Sequence, residues 1–98
     1  MSSADVPAFL AKYSGRVPLG HIKDMKKGVV VPADGYKDFD SIPPDPYQDV
    51  GLGQLDFANW LPLARKAGMR HFFVERDQAP NPLQNATNSY AALRRLLP

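Results

Sequence analysis

Ninety-eight residues, 44% of them apolar and 10% aromatic, suit one globular domain with one core and not a disordered segment. Twelve basic against ten acidic side chains leave a formal charge of +2, too balanced to mark a nucleic-acid or membrane-surface binder. Cysteine is absent, which excludes a disulfide framework and a thiolate metal site, and neither a secretory leader nor a run of roughly 18 apolar residues is present, so the expected address is cytoplasmic, with no membrane partner.

The first element expected is a helix within residues 1–15, because Val6, Phe9, Leu10 and Tyr13 recur at i, i+3, i+4 and i+7. Ser2 or Ser3 is placed to cap it, Asp5 suits its first turn and Gly15 its end. Residues 16–25, "RVPLGHIKDM", read as a strand with Pro18 near its start. Alternation puts Leu19, His21 and Lys23 on one face and Gly20, Ile22 and Asp24 on the other. Residues 26–55 are rich in proline and glycine and read as a long loop with room for one short extended piece, and loops of that length are more often functional than idle. A second helix over 56–68 starts at the Asp56 cap, shows Phe57, Trp60, Leu61 and Ala64 at helical spacing, and stops at Gly68. Pro62 inside it requires a bend, or a later start at Asn59, since an interior proline costs about 3 kcal/mol. Residues 69–77, "MRHFFVERD", form the clearest strand, with Phe73, Glu75 and Asp77 on one face. Asn81 and Pro82 open a last helix over 81–97 whose apolar face is expected to be Leu83, Ala86, Tyr90, Leu93 and Leu97.

The order α-β-α-β-α implies an α/β fold with parallel strands. Two parallel strands do not make a self-standing sheet, so the missing strands must come from elsewhere, through homo-oligomerisation or assembly with the rest of a larger fold. His21 and Glu75 then lie near the C-terminal ends of adjacent strands about 4.8 Å apart, the end at which α/β barrels and open α/β sheets keep their active sites. There an imidazole and a carboxylate can share one divalent cation. The plain alternative is a histidine bonded to a carbonyl beside a solvated glutamate. Lys23 is placed to neutralise a substrate oxygen, although Lys23, Asp24, Lys26 and Lys27 also read as a solvated rim. Gly51 and Gly53 lack the third glycine of a dinucleotide fingerprint and read as turn glycines. His71, about 13 Å below Glu75, reads as a core or barrel-bottom histidine, Trp60, Phe72 and Phe73 as core, and Asp77 as a residue that orders the final loop.

"GRVPLGHIKDMKKG" followed by "VGLGQLDFANWLPLARKAGMRHFFVERDQAPNPLQNATNSYAALRRL" resembles the C-terminal end of the sugar phosphate isomerase/epimerase family, the xylose isomerase-like TIM barrels. The family pattern is a strand ending in His-x-Lys-Asp, a Gly-x-Gly-x-Ile/Leu-Asp turn into a helix, an Ala-Gly before the last strand, and Val-Glu-x-Asp closing it. The resemblance runs from about Asp5 to Leu97 and implies a partial (βα)8 barrel, its last two βα units. It further implies that His21 and Glu75 are metal ligands, that Glu75 is also a catalytic base, and that the cofactor is a divalent cation such as Mn, Mg, Co or Zn. The implied reaction is proton transfer next to the carbonyl of a sugar or sugar phosphate through an enediolate, with a second glutamate and an aspartate supplied by strands this chain lacks. Two alternatives stay open: a non-catalytic truncated barrel stable only as an oligomer, and a metal-dependent endonuclease-type barrel fragment, the latter disfavoured by the balanced charge.

Overall fold

The computed structural model describes residues 4–97 and shows a small mixed α/β fold with three helices and four short strands among them. Helix α1 spans Val6–Lys12 and is capped by Asp5, whose carboxylate accepts a hydrogen bond from the Ala8 amide at 3.0 Å. Asp5 therefore holds the capping position expected of Ser2 or Ser3, which lie outside the described residues.

The strand expected over 16–25 divides in two. Leu19–Ile22 (β1) pairs in parallel with His71–Val74 (β4), with Leu19 opposite His71 and His21 opposite Phe73. Asp24–Met25 (β2) turns away and pairs antiparallel with Tyr47–Gln48 (β3), an extended piece of the segment expected to be loop. A short 3-10 turn at Phe39–Ser41 is held by Asp38, which accepts from the Ser41 amide and hydroxyl.

Helix α2, Phe57–Lys66, begins at the Asp56 cap and runs through Pro62, so the later start at Asn59 is not used. Pro62 and Ala58, whose carbonyl loses its partner to the proline, both face solvent. The helix ends in a Schellman motif: Gly68 (φ 101°) donates to the Arg65 carbonyl and Met69 to that of Ala64. Only a residue at ease with positive φ closes that turn cheaply, which is why "KAGM" stops the helix.

Helix α3 is Pro82–Leu96. Its covered face differs from expectation. Leu83 and Tyr90 are exposed, while Ser89 and Ala92 are buried and Leu93, Leu96 and Leu97 pack on the core. Small and polar residues line the contact because the 49–51 segment approaches closely, Gly51 lying against Ala92.

Two apolar clusters meet at Phe72. One holds Ile22, Val50, Phe57 and Leu61, the other Leu10, Ala64 and Ala67. All of this lies on the sheet face that carries Gly20, Ile22 and Phe72. The opposite face, with Leu19, His21, His71 and Phe73, is bare: Leu19 is 50% and Phe73 52% exposed. Phe73 is thus not a core residue, contrary to expectation, and His71, exposed on the same face at the start of β4, is not one either. The molecule is 19 Å across its thinnest dimension, and the β1–β4 sheet, one of two two-stranded sheets, has two open edges among the described residues. No helix among those residues is long and apolar enough to cross a membrane.

Candidate functional site

Three side chains converge on the bare face at the C-terminal ends of β1 and β4. Parallel register carries His21 and Lys23 from one strand and Glu75 from beyond the other to the same side. His21 Nδ1 lies 2.5 Å from Glu75 Oε2, and Lys23 Nζ lies 2.6 Å from Glu75 Oε1 and 2.9 Å from Asp77 Oδ2. The other flank of Lys23 is the Tyr47 ring, 4.8 Å from the ammonium. Tyr47 was not singled out from sequence, because nothing local shows that β3 folds back beside β2.

The electrostatics follow from these contacts. The Lys23 and His21 hydrogen bonds hold the Glu75 carboxyl below the ordinary glutamate value, outweighing its partial desolvation. Burial opposes the charge on Lys23, but its bonds to Glu75 and Asp77 prevail and raise its pKa. With Glu75 ionised, Nδ1 of a neutral His21 carries the proton and Nε2 keeps the lone pair.

Imidazole nitrogen beside carboxylate oxygen is donor chemistry that fits a divalent cation. Ligand atoms sharing one cation at about 2.0–2.2 Å each lie roughly 3 Å apart, so a cation held by His21 Nδ1 and Glu75 Oε2 would replace the proton between them, leave the imidazole proton on Nε2 and require the two side chains to separate. Among the described residues no group of three His, Cys, Asp or Glu could hold a metal, and His21 and Glu75 are a pair. Lys23 competes for one of them.

Two polar centres behind the site fix its walls. Asp24, expected on a solvated rim, is fully buried; it accepts from the amides of Met25, Gly51, Gly53 and Leu55 at 2.8–3.2 Å. Gly53 sits so near Asp24 and the Met25 carbonyl that a Cβ there would collide. The turn glycines of "GLGQLD" therefore wrap a carboxylate and not a phosphate. The second centre is Asp49, 3% exposed, which accepts from Arg76 at 2.6 Å and from Asn85 and Asn88 of α3 at 3.2 and 2.9 Å. Burial pushes the Asp49 pKa up, yet the Asn88, Asn85 and Arg76 bonds carry it below the usual aspartate value. This pair ties the end of β4 to α3 and so holds Glu75, one residue before Arg76.

No protein-family model, curated protein or solved structure matches the chain.

Proposed function

We propose that the chain is part of a (βα)8 barrel of the sugar phosphate isomerase/epimerase kind, its last two βα units, with His21 and Glu75 as two ligands of a divalent cation. The observation that carries this reading is the 2.5 Å approach of His21 Nδ1 and Glu75 Oε2 at the C-terminal ends of two paired parallel strands, on the face no helix covers. The bare face and open edges are what a barrel wall presents when neighbouring strands are taken away, and a second copy or the rest of the barrel would complete it.

When bound, the cation would polarise the carbonyl and hydroxyl oxygens of the sugar or sugar phosphate. Glu75 would take a proton from the carbon next to that carbonyl and become the carboxylic acid, and a protonated carboxyl group outside this chain would give its own proton to the opposite side and become the carboxylate. Lys23 holds Glu75 ionised before substrate arrives, and a depressed pKa makes a poor base. Substrate oxygens must therefore draw the ammonium away, which raises the basicity of Glu75 as the proton is taken.

Solvent deuterium exchange at the carbon next to the carbonyl, followed by NMR with Mn2+ and a panel of ketoses and their phosphates, tests the reading. Exchange that falls roughly 100-fold or more in Glu75→Gln is the expected result. Absence of exchange from the assembled wild-type protein with every substrate would overturn it in favour of a non-catalytic barrel piece.

A further inference from the structure

Both carboxylate oxygens of Glu75 are engaged, Oε2 by His21 and Oε1 by Lys23 at 2.6 Å. The same Lys23 Nζ donates to Asp77 Oδ2 at 2.9 Å and lies 4.8 Å from the centre of the Tyr47 ring. A compact ammonium with three donors, at the end of a flexible stem, makes this double contact possible. With His21 neutral, Glu75 and Asp77 bring two negative charges against the single positive charge of Lys23, so the cluster keeps a negative charge in surplus. Neighbouring cations do not cancel it, because Lys26 is paired with Asp45 and Arg76 with Asp49, each at 2.6 Å.

We infer that Asp77 and Tyr47 form a berth for the Lys23 ammonium, so that Lys23 closes the His21–Glu75 pair as a stand-in cation and moves onto the berth when another cation takes Glu75. Nζ already touches both ends of that move. Leaving Glu75 does not strand the ammonium, because the Asp77 bond and the face of the Tyr47 ring remain in contact with it. The Lys23 side chain is 27% exposed against 65% for His21, so protein groups more than water surround the ammonium. A lysine on a solvated rim would leave Glu75 for water and would not depend on Asp77. The berth serves equally when a substrate oxygen draws the ammonium from Glu75. Asp77 and Tyr47 are on this account positioning residues that act through Lys23, and not ligands.

The inference rests on the metal-site reading, and its test separates the two. Mn2+ affinity of the protein in its native assembly is read by electron paramagnetic resonance in wild type, His21→Gln, Lys23→Met, Asp77→Asn, and Lys23→Met combined with Asp77→Asn. Lys23→Met should bind Mn2+ at least roughly tenfold more tightly than wild type, and Asp77→Asn roughly threefold or more weakly. In the Lys23→Met background the Asp77 substitution should cost less than about twofold, since no ammonium remains to be received. In metal-free Glu75→Gln, the proton NMR signals of the Lys23 ε-methylene should keep the upfield shift imposed by the Tyr47 ring, and Tyr47→Leu should abolish it. Binding in Lys23→Met no tighter than in wild type, an Asp77 penalty of the same size in both backgrounds, or ε-methylene signals of a free lysine in Glu75→Gln would each overturn the berth. Binding that is lost in His21→Gln but indifferent to Lys23 would leave the metal site standing and overturn the stand-in. Absence of Mn2+ binding in wild type and Lys23→Met alike would overturn both.

Discussion

Replacing Asp24 with asparagine keeps the shape of a fully buried side chain and removes half of its accepting capacity. Oδ1 accepts from Met25 and Leu55, and Oδ2 from Gly51 and Gly53. One of the two becomes an NH2 group, which confronts two amides with a donor. Each stranded buried donor costs about 1–3 kcal/mol, so the variant should lose about 2–6 kcal/mol from a total that is about 5–15 kcal/mol for a domain. Urea titration followed by the fluorescence of Trp60, at matched protein concentrations, should show the midpoint fall by at least about 1 M. Amide exchange should accelerate more at Gly51 and Gly53 than within α2. A wild-type midpoint together with wild-type exchange at these glycines would refute the role given to Asp24.

Three further outcomes are expected. Arg76→Met strands Asp49 in the interior and should cost about 3–5 kcal/mol by thermal or urea unfolding, whereas Arg76→Met with Asp49→Leu should cost less than the single change; equal losses would refute the pairing. Because Asp49 is depressed below its ordinary 3.8, its contribution is present above that value and lost as pH falls through the lower folded value. Acid titration of Asp49→Asn should therefore show a shallower loss of stability below pH 3.8 than wild type, and an identical slope would contradict this. Lys23→Met removes the first cause of the low Glu75 pKa, so the carbon-13 titration of the Glu75 carboxyl should move up toward the ordinary 4.5; an unmoved midpoint would show that Lys23 does not set it.

What could be read from the sequence was local. Asp56 and Asn81–Pro82 start helices, Gly68 stops one, and "HFFV" is a strand, because capping, φ and β-propensity act within a few residues. Parallel pairing of the two strands followed from their order, and with it the meeting of His21 and Glu75. What escaped was set by distant contacts. β2 leaves the β1 direction because Met25 meets Tyr47, and two-residue strands carry no periodicity. Asp24 is the instructive case: alternation places it on the covered face with Ile22, but its charge argued for solvent, and its four amide partners come from the later glycine turn. Likewise the apolar stripe of α3 pointed to Leu83 and Tyr90, whereas the helix turns Asn85, Asn88 and Ser89 toward the Asp49–Val50 segment. A polar centre shared by three chain segments outranks the largest hydrophobic residues there.

The central claim is that His21 and Glu75 hold one divalent cation in a barrel completed beyond these two βα units. Titration of Mn2+ into the protein in its native assembly, with free Mn2+ read by electron paramagnetic resonance, addresses it directly when wild type is set beside His21→Gln and Glu75→Gln. Saturable binding of at most one ion per chain, weakened roughly tenfold or more by either substitution, is the expected result. Equal affinity, or equal absence of binding, in all three proteins would contradict the claim.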